Sequence, residues 1–188
     1  GISSVEGRLY VWYGPGSGDT SNDWARLMES RDHGATWTAA DWSYPTRAPD
    51  CRLIKGCFLN FGKDNAGARD GYVYAYFPRY TVPNTNPTQV DLGRVPQTRI
   101  MDKDAWEFFA GVVDGGPEWT SNTKPADREP VFEDRNGVGN RLSCGYDPGL
   151  GQYILCTESN PPSTGRLDMF HAPEPWGPWR TIRYAETD

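Results

Sequence analysis

The chain has 188 residues, enough to bury the core of one domain, and its formal net charge of −6 argues against nucleic acid as a main partner. Aromatic residues make up 13% of the chain, a richness typical of β-rich proteins and of carbohydrate sites, where ring faces stack on sugars. No apolar run is long enough for a membrane span. We predict one domain over residues 1–188, with no cofactor and no metal.

Short alternating runs, separated by many glycines and prolines, predict an all-β fold. The predicted strands are Arg8–Tyr13, Ala25–Ser30, Thr36–Asp41, Cys57–Phe61, Gly71–Phe77, Val90–Val95, Glu107–Ala110, Pro130–Phe132, Arg141–Tyr146, Gln152–Thr157, Arg166–His171 and Trp179–Tyr184. The segment Asp102–Phe109 is expected to form a short helical turn or the start of a strand.

A turn motif follows the second predicted strand. Residues 30–37 read Ser-x-Asp-x-Gly-x-Thr-Trp, the Asp-box, which recurs in β-propellers, many of which handle carbohydrate. Asp32 is expected to accept backbone N–H bonds, and Gly34 to permit a positive φ. The motif is a structural staple, so we predict a structural and not a catalytic role for Ser30, Asp32, Gly34, Thr36 and Trp37.

Tryptophan-bearing segments close each of three groups of predicted strands. These segments are Thr36-Trp37, Pro117-Glu118-Trp119 and Gly177-Pro178-Trp179. Their spacing is consistent with the blades of a β-propeller that carries loop insertions, but about three blades do not close a ring, for which about four to eight are usual. Either this blade count is low or the chain is the middle of a longer protein. We favour the second, with further blades from flanking sequence or another chain.

The four cysteines allow three pairings. The local one, Cys51–Cys57 and Cys144–Cys156, fits best, because Cys144 and Cys156 flank a turn and could meet across a hairpin. Such bonds would suit a secreted or extracytoplasmic protein. The alternative is four free buried thiols.

Five further motifs follow one another along the chain. They are Phe58–Tyr74, Leu92–Pro96, Trp106–Gly111, Tyr146–Tyr153 and Ala172–Trp179. Together they resemble a family of secreted five-bladed β-propellers, long filed as a domain of unknown function, that includes endo-D-arabinanases, a group of glycoside hydrolases. The resemblance covers nearly the whole chain. It implies a propeller fold, a polysaccharide or oligosaccharide partner and hydrolysis of arabinanase type.

The segment from Lys63 to Tyr76 is the best candidate for chemistry. Asp64 and Asp70 stand six residues apart with Arg69 beside Asp70, and a glycine-rich loop could bring both carboxylates to one mouth. Glycoside hydrolysis needs two carboxyl groups. The two aspartates are therefore predicted as catalytic and Arg69 as substrate-binding. The alternative is that the aspartates bond to backbone and Arg69 anchors a salt bridge.

Other candidates lie on neighbouring predicted strands. Tyr72 and Tyr74 could form a sugar platform or pack between blades. Arg94 and Arg141 could bind substrate or form ion pairs between blades. Glu158 is a third catalytic candidate, with a solvated loop carboxylate as the alternative.

Three other functions are alternatives to hydrolysis. The first is a carbohydrate-binding propeller without catalysis. The second is a polysaccharide lyase, which would need His171 near Tyr146 or Tyr153 as a proton-transfer pair. The third, a sialidase, is disfavoured because no arginine triad with a Tyr/Glu nucleophile pair can be assembled from the sequence.

Overall fold

The computed structural model describes residues 1–15, 24–80, 87–139, 141–159 and 166–185. In these ranges the secondary structure is β-strand with short 3-10 helices. The strands are β1 Ile2–Val5, β2 Arg8–Tyr13, β3 Trp24–Ser30, β4 Thr38–Ala39, β5 Tyr44–Pro45, β6 Cys57–Asn60, β7 Tyr72–Arg79, β8 Gln89–Pro96, β9 Glu107–Val113, β10 Gly116–Thr120, β11 Phe132–Glu133, β12 Leu142–Asp147, β13 Gln152–Ser159, β14 Arg166–Ala172 and β15 Arg180–Tyr184. The 3-10 helices are Lys63–Asn65, Gln97–Arg99, Lys103–Ala105 and Pro125–Asp127. The predicted all-β class is confirmed.

Three antiparallel meanders make up the fold. The first runs β1-β2-β3-β4 with β5 on the side of β3, the second runs β6-β7-β8-β9-β10, and the third runs β12-β13-β14-β15. The innermost strands of the second and third meanders, β6 and β12, pair in parallel. Meanders whose first strands lie side by side are arranged as propeller blades are, and the predicted propeller class is confirmed. The number of blades stays a prediction.

Strand β7 packs against the neighbouring meander on each side of the second meander. Its side chains alternate, so that Val73, Ala75 and Phe77 join the core shared with the first meander. Tyr74 and Tyr76 join the core shared with the third meander. Both faces are therefore buried, which explains why this stretch of sequence is apolar or aromatic at every position from residue 72 to residue 77.

The meanders have two distinguishable ends. At the turn end lie the tight turns at Gly7 and Gly149 and the segment 61–71, which bonds to the β1–β2 turn. At the loop end lie the far ends of β2, β7 and β13, that is, Tyr13, Arg79 and Ser159. Because β7 and β13 both run from the turn end to the loop end, residues at their starts and at their ends are separated by the strand length.

The tryptophan-bearing segments all lie in or directly before the outer strands of their meanders. Trp37 precedes β4, Trp119 lies in β10 and Trp179 precedes β15. Trp119 packs edge to face on Phe109, and Trp179 packs edge to face on Tyr76. The periodic tryptophans of the sequence therefore mark where the outer strands of the meanders lie.

The predicted disulfides are wrong, because all four cysteines are free in the structure. In the β12–β13 hairpin, Cys144 pairs with Leu155, and Cys156 pairs with Ser143. Cross-strand partners share a face and neighbours alternate, so the two sulfur atoms point to opposite faces of the hairpin.

Cys51 and Cys57 lie on different parts of the chain beside β7. Leu53 bridges to Arg79 and Cys57 pairs with Tyr76, so Leu53 and Cys57 are about three strand residues, or about 10 Å, apart. Cys51 lies in the turn before Leu53, and its thiol is free.

A buried ion cluster joins β7, β8 and the segment before β11. Arg79 donates Nε to Asp91 Oδ2 at 2.8 Å and also Nη2 to Oδ1. Arg128 Nη2 lies 3.4 Å from the same carboxylate, and its side chain is fully buried. Two guanidinium groups thus share one buried carboxylate, whose loss would leave both without their counter-ion.

Within the described ranges, no helix is long or apolar enough to cross a membrane.

Candidate active site

Asp70 lies at the turn end, directly before β7. Its Oδ1 accepts a hydrogen bond from the Tyr72 backbone N–H at 2.9 Å, which is the local turn geometry that aspartate favours. Its Oδ2 accepts from the Tyr74 hydroxyl at 2.6 Å. The residue remains exposed to solvent. Asp70 is therefore a fixed, solvent-facing carboxylate.

Tyr74 is the hydrogen-bond donor that holds the Asp70 carboxylate. Burial raises the pKa of Tyr74 well above its ordinary value, and the hydrogen bond to Asp70 raises it further. The hydroxyl therefore keeps its proton and donates it toward the carboxylate.

Arg94 joins this pair to a second carboxylate. It stands opposite Glu107 in the β8–β9 register, and its Nε lies 2.9 Å from Glu107 Oε2. Its guanidinium carbon lies 4.2 Å from the ring centre of Tyr72 and 4.0 Å from that of Trp119. Stacking on two rings and pairing with a carboxylate fix the guanidinium in one orientation.

We call this group the turn-end cluster: Asp70, Tyr72, Tyr74, Arg94, Glu107 and Trp119. The first four were predicted from the sequence as site residues, and the structure brings them together. Glu107 and Trp119 were not predicted as site residues. Their signal in the sequence is weak, because their position beside Arg94 follows from the register of β8, β9 and β10, which the sequence does not display.

Arg69 belongs to the segment before β7 and contacts residues of the third meander. Its Nη1 donates to the Tyr153 hydroxyl at 3.5 Å and lies 3.8 Å from Glu174 Oε2, and its guanidinium faces the Tyr146 ring at 5.7 Å. Arg69 therefore links the segment before β7 to the third meander.

Asp64 bonds to the first meander. Its Oδ1 accepts from the Gly7 backbone N–H at 3.0 Å, and its own N–H donates to Ser4 Oγ at 2.7 Å. These contacts hold the segment 61–71 against the β1–β2 turn. The contacts of Asp64 and Asp70 fall on different elements, and their action as an acid pair stays a prediction.

Glu158 and Arg141 lie at the loop end. They line a groove of about 320 Å³ with Arg166 and Thr157. Glu158 is five residues along β13 from Tyr153, or about 17 Å, and Tyr153 is the residue that contacts Arg69. The structure thus places Glu158 and Arg141 away from the turn-end cluster.

His171 does not approach the tyrosines that a lyase mechanism would need. It pairs with Ile154, whereas Tyr153 pairs with Tyr146 and Ala172. Because Ile154 and Tyr153 are successive residues of β13, His171 lies on the opposite face from both tyrosines. Its Nδ1 lies 3.0 Å from Gln152 Oε1.

The turn of residues 30–37 closes on itself through side chains. Asp32 Oδ1 accepts from the Thr36 backbone N–H at 2.8 Å, and Ser30 Oγ accepts from the Gly34 N–H at 2.8 Å. Gly34 has φ of 92°, and Trp37 Nε1 donates to the Gly34 carbonyl at 3.1 Å. Hydrogen bonds from the Thr36 hydroxyl, the Thr36 N–H and Ser30 lower the pKa of Asp32 to about 2.

The turn-end cluster offers one carboxylate directly before β7 and one on β9, with β8 between them, together with a fixed guanidinium and aromatic rings. Such groups can accept protons, bind hydroxyls and contact the C–H faces of sugars. Among the described residues, no group of three or more His, Cys, Asp and Glu side chains is placed to hold a metal ion.

Comparisons with solved structures show the same fold at low identity. A family 117 glycoside hydrolase from the marine bacterium Zobellia galactanivorans matches with a TM-score of 0.59 and 14% identity, over 96% of this chain and 53% of that one. A candidate hydrolase from Bacteroides ovatus matches with a TM-score of 0.54 and 13% identity, over 98% of this chain and 44% of that one. The chain therefore spans about half the length of these structures.

A Trypanosoma rangeli sialidase mutant displaying trans-sialidase activity matches with a TM-score of 0.48 and 14% identity, over 98% of this chain and 30% of that one. No curated protein matches the chain. The sequence profile of the family described as "Domain of unknown function (DUF4185)" matches residues 4–187.

Proposed function

We infer that this chain, which belongs to the DUF4185 family, is a carbohydrate-active β-propeller that hydrolyses glycosidic bonds of a polysaccharide, in the manner of an arabinanase. The observation that carries this proposal is the linkage of Asp70 and Glu107 through Tyr74 and Arg94. Two carboxyl groups held on one rigid sheet are what glycoside hydrolysis requires.

Asp70 fits the part of the base or nucleophile. It is exposed, and the Tyr72 N–H and the Tyr74 hydroxyl both donate to it, which fixes the orientation of the carboxylate. Glu107 is the second carboxyl group, positioned by its ion pair with Arg94 at 2.9 Å. The partly exposed edges of Tyr72 and Trp119 supply apolar contact for a sugar ring.

The comparison structures support this proposal through the fold alone. The Zobellia galactanivorans protein is a glycoside hydrolase by its description, so a fold of this kind carries that chemistry in another protein. Fold by itself does not fix function, and the assignment therefore depends on the residues of the cluster.

A non-catalytic saccharide-binding function is the second candidate. One observation favours it: both oxygens of Asp70 already accept hydrogen bonds within the protein. Arg94 also stacks on the faces of Tyr72 and Trp119, so both rings are held in fixed positions beside the cluster.

Two wider properties of the protein are proposals of the same kind. We propose that it acts outside the cytoplasm, where polysaccharides occur, and that further blades complete the ring. Apolar side chains exposed on the third meander support the second point, among them Leu150, Leu167 and Ile182. So does the length of the matching structures, about twice that of the chain.

Release of reducing ends from a panel of arabinans and other polysaccharides tests the proposal. A hydrolase releases reducing ends from at least one member, whereas a binding protein retains a glycan on an array without any release. If the protein neither releases reducing ends from any member of the panel nor binds any of them, both candidates are rejected.

A further inference from the structure

A second polar site lies at the turn end, between the first and second meanders. It is a groove of about 460 Å³, and we call it the arginine groove after Arg8, Arg31 and Arg99, which line it together with Glu29 and Asp102. Arg8 comes from β2 and Arg31 follows β3, whereas Arg99 and Asp102 follow β8. Neither the sequence motifs nor the turn-end cluster accounts for this concentration of arginine.

Glu29 holds two of the three guanidinium groups. Its side chain is 5% exposed, and it accepts from Arg8 Nη1 at 3.1 Å, from the Tyr10 hydroxyl at 3.1 Å and from Arg31 Nε at 2.7 Å. Burial raises the pKa of Glu29, but the bonds from Arg31, Tyr10 and Arg8 outweigh burial and lower it overall. Glu29 is therefore a buried, charged anchor under two half-exposed arginines.

Arg99 is held from the other side of the groove. Its Nε donates to Asp102 Oδ2 at 3.1 Å, and Asp102 Oδ1 accepts from the Asp104 N–H at 3.0 Å. Asp102 is thus fixed by backbone as well as by the guanidinium. The third arginine is ordered before any ligand arrives.

The groove carries more positive than negative charge. Three guanidinium groups face two carboxylates there, in a chain whose formal net charge is −6. The side chains of Arg8, Arg31 and Arg99 are 45%, 69% and 55% exposed. Each guanidinium has five N–H donors and uses only one or two in the bonds above, so donors remain on the solvent side.

We propose that the arginine groove binds the carboxylate or sulfate group of an acidic saccharide. Preordered guanidinium groups match planar carboxylates and sulfate oxygens with paired hydrogen bonds. The volume suits a small ligand, and Ile100 and Met101 supply an apolar floor for a sugar ring. The saccharide part rests on the proposed function, whereas the anion part stands on the groove alone.

Calorimetric titration in low-salt buffer tests both parts. The probes are sodium sulfate, digalacturonate and the neutral α-1,4-galactobiose of the same linkage. The proteins are the wild type, an Arg31→Gln/Arg99→Gln double variant and an Arg183→Gln control, which removes an exposed arginine from β15. Thermal melts establish that each variant is folded.

We expect saturable binding of sulfate and digalacturonate, with galactobiose much weaker. The double variant should bind about tenfold less tightly, since it lacks two of the three guanidinium groups, and the control should match the wild type. Absence of sulfate binding, or equal binding by the double variant, overturns the proposal. If sulfate binds but digalacturonate binds no more tightly than galactobiose, the saccharide part of the proposal is overturned. A failure to release reducing ends would leave the sulfate result unchanged, so the two proposals fail separately.

Discussion

Asp32 shows how a single carboxylate fixes a turn that connects two strands. Its oxygens accept from the Ser30 hydroxyl, the Thr36 N–H and the Thr36 hydroxyl, all within residues 30–36. Every one of these bonds favours the charged form, which explains the lowered pKa of about 2.

Replacing Asp32 by alanine should destabilise the protein at neutral pH and much less in acid. A carboxyl group whose pKa is lower in the folded state stabilises that state above its unfolded pKa of about 3.9 and loses this contribution as the pH falls toward 2. The gap in Tm between wild type and Asp32→Ala should therefore be widest at pH 7 and narrow between pH 4 and pH 2. A gap that stays constant over this range would contradict the assigned role.

Part of the candidate site could be predicted from the sequence, residue by residue. Asp70, Tyr72 and Tyr74 are close in sequence, so their grouping at one strand start followed from local spacing. Arg94 was predicted as a site residue, but its partner Glu107 was not. Their contact depends on β8–β9 register, which is decided by packing of the whole sheet and not by neighbouring residues.

At the scale of the element, β7 is the most constrained strand, because it packs on both neighbouring meanders. Phe77 is fully buried and lies 5.2 Å from Trp12, 6.1 Å from Trp106 and 6.0 Å from Phe108, measured between ring centres. Phe77→Ala should lower the free energy of unfolding by about 3–5 kcal/mol, since the cavity cannot fully collapse. Leu150→Ala, at a position 67% exposed, should cost less than about 0.5 kcal/mol. Urea denaturation of both variants makes the comparison, and similar losses would argue against this packing.

The buried cluster of Arg79, Asp91 and Arg128 ties β7 and β8 to the segment before β11. Asp91→Asn should destabilise the fold by about 3–5 kcal/mol, because it removes the only charge compensating two buried guanidinium groups among the contacts described. Asp41→Asn, the same substitution at an exposed position, provides the control. A loss below about 1 kcal/mol for Asp91→Asn would show that the guanidinium groups have other counter-ions.

The cysteines provide a third test at the scale of the element. The structure predicts four free thiols, so alkylation of the denatured, unreduced protein should modify all four, as counted by mass spectrometry. Modification of only two or none would restore one or both of the disulfides that the sequence suggested. The sequence spacing misled here because a hairpin brings residues near each other without placing them on one face.

The strands themselves were largely predictable. β2 matches its predicted bounds, and β3, β6 and β8 differ from theirs by one or two residues, because alternation and turn residues mark them clearly. β1, β5 and β10 were missed. β10 begins with Gly116-Pro117, a pair that indicates a turn, and only its pairing with β9 makes it a strand.

For the whole molecule, the two ends of the meanders divide the predicted site residues. Asp64, Asp70, Arg69 and Arg94 lie at the turn end, and Glu158 and Arg141 lie at the loop end. The sequence could not give this division, because it depends on the direction of each strand within the sheets. We propose that hydrolysis takes place at the turn end, on Asp70 and Glu107.

The decisive measurement is the turnover of Asp70→Asn on a polysaccharide that the wild type degrades. Asp114→Asn, an exposed aspartate in the β9–β10 turn at the opposite end of the same sheet, is the matched control. We expect kcat/KM to fall by about 10²–10⁴-fold in Asp70→Asn, while Tm changes little and Asp114→Asn keeps full activity. Full activity in folded Asp70→Asn would contradict it.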